Sequence, residues 1–470
     1  MNGSQSDASS DIGQTRPPNL SSRKSVTPRS PGTWPVMPST RPCQAGQTGS
    51  RGWRTTRAGE RGVSVGAGTR DSPWTPPCIR STIVSTSDGA IGGGGVHGLS
   101  LVPAPTLTPR SPARVVRHPR LPVWPAWQGL VLGITGQVPG LRGVTDFLED
   151  KFGGRVCPMS LDASDCDPFI LLVHHRHAFR PLDFLRPLFS AIIMPEGFPA
   201  HPHRGFETVT YVLPERAGLV HRDSIGTKMS YGDGAVQWMT AGRGMLHEEM
   251  WDVSSANEQF ELYQVWVNLP PQDKMSPPRC QLLTPAGAPA TATVQREGRG
   301  APVRRAEIPT VEAQGGRVRV RLLAGELDGV RGAAETFSPM LLAHVELRGE
   351  GTEHRVAVPA GWNCFAYVRR GRVRMGEGEE GEAGMFETAY FREGGDSVRL
   401  ASLSAHADVM LFAGEPIGAP VASSGTMVMN TQQQVQEAMA DYSRGLFGVP
   451  WDHALEDAQW ADHLSKSGSL

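Results

Sequence analysis

From about residue 167 onward the chain alternates short apolar segments with glycine, proline and aspartate punctuation. Residues 169–173, 190–194, 208–213, 219–222, 235–240 and 261–269 read as strands, each rich in the β-branched and aromatic residues that suit a pleated surface. Turn signals such as Tyr231-Gly232-Asp233-Gly234 fall between them. A Pro/Gly/Ala-rich stretch, 284–300, interrupts the series and reads as a linker or long loop. A second run follows, with strands predicted at 317–323, 340–347, 364–369, 397–403 and 409–412. Many short strands at near-regular spacing predict an all-β protein made of sandwiches or barrels. Helical signals are few: 141–152 reads as a short helix or a lead-in, and Asn430 or Thr431 can cap a helix over 432–442.

Before about residue 130 neither the strand period nor the helix period is sustained. Such a segment buries too little apolar surface to offset the entropy of ordering, so disorder is the expectation. Composition sharpens this division. Residues 1–127 hold 17 of the 39 prolines, with 15 basic and 5 acidic residues, a charge of +10. The remainder holds 31 basic and 42 acidic residues, or −11, so the overall charge of −1 describes neither part. The expected organisation is an extension over 1–130, a β-domain over 145–275, the linker over 284–300, and a second β-domain with a terminal helix over 301–450.

The charge split limits the partners. An acidic body repels a phosphate backbone, so direct nucleic-acid binding by the folded part is not expected. The arginines of the extension are dispersed rather than clustered, which suits an unstructured segment or an artefact of gene prediction better than a basic binding patch. Asp7 and Asp11, with no early amphipathic helix, argue against a transit peptide, and no secretory apolar core is present. No apolar run approaches the roughly 18 residues of a spanning helix, so no membrane contact is expected. Cys43, Cys78, Cys157, Cys166, Cys280 and Cys364 form no C-x-x-C pair, which suits reduced thiols. The expectation is an intracellular protein of the cytoplasm, the nucleus or an organelle.

The candidate chemistry lies in two histidine segments. His201-Pro202-His203 precedes the strand at 208–213, and His247-Glu248-Glu249 follows Gly242-Arg243-Gly244-Met245-Leu246. On an extended strand, residues two apart share a face. His201 and His203 therefore point together, as do His247 and Glu249, while Glu248 points the other way. If both segments line one interior, three imidazoles and one carboxylate converge, a donor set suited to Fe, Mn, Ni, Cu or Zn. Alone, an H-x-H spacing is weak, and His175-Arg176-His177 shows the same spacing with no matching His/Glu pair. His221-Arg222-Asp223-Ser224 lies near the candidate site in sequence and reads as either supporting or surface residues. Cys364 reads as a small core residue.

Longer stretches add to this. Gly197-Phe198-Pro199-Ala200-His201-Pro202-His203-Arg204-Gly205-Phe206-Glu207-Thr208-Val209-Thr210-Tyr211 closely resembles the metal-binding motif of the pirin family. Gln237-Trp238-Met239-Thr240-Ala241-Gly242-Arg243-Gly244-Met245-Leu246-His247-Glu248-Glu249-Met250 resembles that family's second motif, and Leu262 to Leu269 the strand after it. Gly414-Glu415-Pro416-Ile417 and Met427-Val428-Met429-Asn430-Thr431 are also similar to pirin segments. The likeness covers about 160–450.

The resemblance implies a bicupin: two cupin-type β-sandwich or jelly-roll barrels, the first holding one transition metal ion, usually iron as Fe(II). It implies His201, His203, His247 and Glu249 as ligands. Most cupins take a glutamate shortly after the H-x-H, here Glu207, which is expected instead to support the site from behind, as is His221. Where many pirins have alanine this chain has Glu248, which strand parity keeps off the metal. The second domain has only His344, His354 and His406, widely spaced, and is expected to be metal-free. The family implies a flavonol (quercetin) 2,3-dioxygenase that uses O2, with Glu249 as general base. The alternative it implies is a redox-dependent cofactor that binds transcription-factor proteins, and a third reading is a structural metal without catalysis.

Overall fold

The computed structural model describes residues 107–118, 121–122, 154–178, 197–252, 259–288, 293–296, 302–376, 381–392 and 394–467. The strands that position the site are, in chain order, β1 (Pro112–Arg117), β2 (Phe169–Ala178), β3 (Gly197–His203), β4 (Phe206–Val212), β5 (Gly218–Asp223), β6 (Thr227–Tyr231), β7 (Val236–Thr240), β8 (Met245–Asp252), β9 (Gln259–Asn268), β10 (Arg279–Pro285), β11 (Thr293–Arg296), β12 (Arg304–Ile308), β13 (Met340–Arg348), β14 (Asn363–Arg370), β15 (Glu387–Phe391) and β16 (His406–Gly414). The expected strand at 190–194 and the expected helix at 141–152 lie outside the described residues.

An 8-stranded sheet carries β12, β10, β7, β4, β9 and β2 in that order. It faces a 5-stranded sheet ordered β11-β6-β5-β8-β3. Their shared interior holds Val212, Leu219, Met229, Met239, Met245, Phe260 and Leu282. The second domain repeats the plan, with a 7-stranded sheet containing β1, β15, β14, β16 and β13 and a 4-stranded partner. Val320, Leu322, Val345, Val356, Leu400 and Leu411 fill that interior.

The two large sheets pack on each other, which explains the residues on their remaining faces. On β4, Val212 turns into the first sandwich while Val209 and Tyr211 join Phe365, Tyr367 and Phe412 of the second domain. On β9, Phe260 and Leu262 turn inward while Tyr263, Val265 and Val267 meet the same interface. These strands are apolar on both faces because both faces are buried.

Three departures from the sequence reading stand out. Within the segment expected to be disordered, Pro112–Arg117 forms β1 and pairs antiparallel with β15 of the second domain. Within the expected linker, Thr293–Arg296 pairs with β6. Beyond the expected end at 450, Asp457–Lys466 forms a helix, α2, that buries Trp460 and Leu464. The expected terminal helix is α1 (Gln432–Ser443), capped by Thr431 in a reciprocal bond with Gln434. No helix among the described residues is long and apolar enough to cross a membrane.

A buried polar chain links the domains. His174 on β2 reaches the Tyr367 hydroxyl at 2.8 Å, and His344 on β13 reaches the Tyr211 hydroxyl at 2.8 Å. Each histidine meets an acid through its other nitrogen: Glu261 at 3.0 Å from His174, and Asp408 at 2.9 Å from His344. The pattern is two-fold in its logic, because Glu261 and Asp408 sit two residues before the strand partners of the two histidines. Arg369 breaks the symmetry and joins the halves. Its guanidinium donates to both Glu261 oxygens, at 2.9 and 2.8 Å, and to Asp408. Burial alone would raise both carboxyls, but the His174 and Arg369 contacts on Glu261, and the His344 and Arg369 contacts on Asp408, hold them well below the usual carboxylate range.

Replacing Arg369 with methionine removes the cation shared by two buried acids, leaving Glu261 with only the longer 3.3 Å arginine contact, from Arg216, and Asp408 without an arginine. Urea unfolding is expected to show a loss of about 3–5 kcal/mol at neutral pH. Because both carboxyls are depressed in the fold, their contribution is present above about pH 4 and fades as the pH falls below it. The gap between wild type and Arg369→Met should therefore narrow in acid, and a gap independent of pH would contradict this account.

Candidate metal centre

Antiparallel register builds the site. β8 lies between β3 and β5, and it sets His247 opposite His201 and Met245 opposite His203. On its other side His247 stands opposite Asp223 and Glu249 opposite His221. A bulge between His247 and Glu249 shifts the β3 register, so that Glu249 faces Phe198. Gly197 makes this possible: its φ is +130°, and a Cβ there would sit 2.3 Å from the Glu249 carbonyl oxygen.

The three histidines converge. Their ring centroids are 4.7 Å apart for His201 and His203, 4.5 Å for His201 and His247, and 4.8 Å for His203 and His247. One ring nitrogen from each lies within 4.8 Å of the others. His203 packs edge-on against Phe206 at 5.2 Å and Trp266 at 5.8 Å. His203 and His247 are buried, while His201 is half-buried beside the exposed Phe198.

Their polar contacts suit a metal ion. His201 Nδ1 donates to the Pro199 carbonyl at 2.8 Å, which leaves its Nε2 lone pair free. His247 Nε2 and both nitrogens of His203 are buried without a hydrogen-bond partner. Burial is costly for such atoms unless something meets them. Burial lowers all three histidines, His203 and His247 well below the ordinary value, and so favours the neutral imidazole that ligates a metal.

Glu249, two residues after His247 on β8, is not among the groups whose donor atoms cluster within 4.8 Å, and its carboxylate is held by other groups. Thr210 Oγ1 donates to Oε1 at 2.7 Å, the Tyr231 hydroxyl to the same oxygen at 3.3 Å, and Gln264 Nε2 to Oε2 at 2.9 Å. Burial, with the Glu249 charge adding to it, pushes the Tyr231 hydroxyl well above its ordinary value, so it stays a donor. Sequence reading missed Thr210, Tyr231 and Gln264. The available signal was polarity at inward strand positions, since Gln264 pairs directly with Thr210.

The other candidates separate by strand face. Glu207 shares the face of Val209 and Tyr211, opposite to Thr210, so it does not support the histidine cluster as expected. Its carboxyl accepts from Thr240 Oγ1 at 2.7 Å, and burial pushes it up to about 7. Glu248 also turns away from the histidines. It is buried against Arg222, whose guanidinium donates at 2.6 and 2.8 Å to the carbonyls of Leu455 and His453 just before α2. His221 touches the site, with its ring centroid 5.3 Å from that of His247. His175 packs instead on Trp251 and Phe260, at 5.2 and 5.4 Å. Cys364 is a core residue, and burial pushes its thiol up to about 12. In the second domain His344, Glu346 and Asp408 cluster, but Arg321 and Arg369 occupy the acids.

Comparison with known proteins fits this arrangement. The family model described as Pirin matches residues 155–267, and the one described as Pirin C-terminal cupin domain matches residues 342–448. Pirin-like protein 2 of Arabidopsis thaliana is 36% identical over 326 residues, covering 66% of this chain and 85% of that protein. A Pseudomonas aeruginosa protein with the provisional name quercetin 2,3-dioxygenase is 34% identical over 281 residues, covering 59% of this chain and 88% of that protein. The crystal structure of a quercetin 2,3-dioxygenase from Acinetobacter baumannii aligns with a TM-score of 0.51 at 29% identity, covering 63% of this chain and 93% of that one.

After chelation and reloading with a single transition metal, elemental analysis is expected to find one ion per chain. His203→Ala and His247→Ala should each lose it, whereas Glu207→Gln, on the far face of β4, should keep it. Full metal retention by either alanine variant would contradict the convergence of the three imidazoles on one ion.

Proposed function

The chain belongs to the pirin family, two cupin domains in one protein, and from that premise we propose that it is a mononuclear metal protein, with iron as the native ion, that oxidises a flavonol of the quercetin type with O2. The observation that carries the reading is the grouping of three imidazoles, two of them with buried unpartnered nitrogens, on β8 and its neighbour β3, with β8 also carrying a carboxylate held in place by three donors. In this reading His201, His203, His247 and Glu249 hold the ion. The bound metal would supply Lewis acidity and open positions for substrate oxygens and O2.

The remaining chemistry belongs to the chain. Access would run past His201, on a half-buried stretch of β3, and past Gln264 and Trp266, which are half-buried between fully buried neighbours on β9. Phe198 is 41% exposed beside His201, and offers an aromatic face to a flat substrate at the mouth. Glu249 would take the flavonol hydroxyl proton as general base. Gln264, Thr210 and Tyr231 fix the direction of its lone pairs, so that the carboxylate need not reorganise when the proton arrives.

Aerobic incubation of iron-loaded protein with quercetin should bleach the flavonol absorbance and release CO. Glu249→Gln should slow turnover by about 10²–10⁴-fold, the usual contribution of a general base. Turnover no faster than that of a His201→Ala, His247→Ala double variant, across several metals, would overturn the proposal.

A further inference from the structure

Beneath the candidate ligands lies a second buried cluster, His221, Asp223 and Cys280. His221 and Asp223 are two apart on β5 and so share a face. They stand opposite Glu249 and His247 across the β5–β8 pairing, and both are fully buried.

Hydrogen-bond directions along this cluster are determined from its far end. Asp223 Oδ1 accepts the backbone N–H groups of Ile225 at 3.0 Å and Thr227 at 2.8 Å, which fixes the carboxylate. Its Oδ2 faces His221 Nε2 at 3.1 Å and the Cys280 thiol at 3.5 Å. A carboxylate only accepts, so the His221 proton sits on Nε2. The reverse tautomer would set a nitrogen lone pair against the carboxylate. His221 Nδ1 is then an acceptor, and it faces two groups able to donate: Gln237 Nε2 at 3.5 Å and His247 Nδ1 at 3.4 Å. With its Nδ1 proton directed at His221, His247 presents Nε2 as a free lone pair, and Nε2 is the atom left buried without a partner.

We propose that Asp223 and His221 are positioning residues for the metal centre: through a carboxylate–imidazole–imidazole chain they fix the tautomer and ring orientation of His247 so that Nε2 faces the ion. The inference rests on the reading of His247 as a ligand. It extends the familiar carboxylate–histidine–metal arrangement by one imidazole, because β5 places a histidine where a carboxylate or carbonyl usually stands. The Glu249 network and the Asp223 chain approach the site from different side chains, so each ligand from β8 has its own support.

The test uses the full chain labelled with ¹⁵N-histidine and loaded with Zn(II), with long-range ¹H–¹⁵N correlation reporting each ring nitrogen. We expect His221 protonated at Nε2, and His247 protonated at Nδ1 with Nε2 bound to zinc. A proton on His221 Nδ1, or zinc on His247 Nδ1, overturns the inference, and this reading needs no variant to fold. Competition with a chelator should show Zn(II) bound about 10–100-fold more weakly by His221→Phe and Asp223→Asn. His221→Gln, which keeps an acceptor, should recover part of that loss. Unchanged affinity in folded His221→Phe overturns the inference while leaving the metal centre standing. Absence of stoichiometric zinc in the wild type overturns the metal reading itself.

Discussion

The pairing of His247 opposite His201, with β8 between β3 and β5, is the constraint on which the site depends. Side chains two apart on a strand share a face, so this alignment brings His203 and Glu249 to the same interior as their neighbours. A register slip of one residue would exchange His247 and Glu249 for Leu246 and Glu248, which face Trp460 and Arg222 on the outer side. The chain guards the alignment at several points. Gly197 admits the close approach of the two strands at the bulge. Gly244, with φ at +123°, lies where a Cβ would meet the Phe447 ring at 2.4 Å, so the turn into β8 packs closely on the C-terminal segment because this position is glycine. Arg222 then ties Glu248 to the carbonyls before α2.

The two domains share a plan but use equivalent strands differently. In each, a histidine, a tyrosine and an acid from central strands of the large sheet face the other domain. The first domain adds histidines on the opposite, smaller sheet, and these form the candidate metal centre. The second domain has no such set among its described residues, and His344 serves the interface. Two buried acids bridged by Arg369, one of them also met by Arg216, are costly to desolvate, and the hydrogen bonds around them compensate.

Sequence patterning was most informative where a physical period was at work. Most described strands from 167 onward follow from apolar runs and turn residues, and parity groups His201 with His203 and His247 with Glu249, two pairs that the β3–β8 pairing brings to one side of the sheet. The same rule kept Glu248 away from them. It also sends Glu207, in parity with Val209 and Tyr211, to the far side, against the expectation from its place after the H-x-H. Contacts between distant segments had no local signal. Glu261 and Arg369 are 108 residues apart, and β1 finds its partner in β15 only once the second domain exists. The strand β1 reads as polar and arginine-rich because it is an edge with exposed positions, which resembles disorder in composition. α2 gives little signal in the sequence because only Trp460 and Leu464 mark its buried stripe.

The central claim is that three imidazoles and Glu249 converge on one ion in the first domain. Anomalous diffraction from crystals of the metal-loaded protein, recorded at the absorption edge of the metal supplied, tests it most directly. The account predicts a single strong peak per chain among His201, His203 and His247, at roughly 2.0–2.2 Å from their nitrogens and from a Glu249 oxygen. A peak only at the His344 cluster or on the surface, or no peak in protein that carries metal in solution, would contradict it.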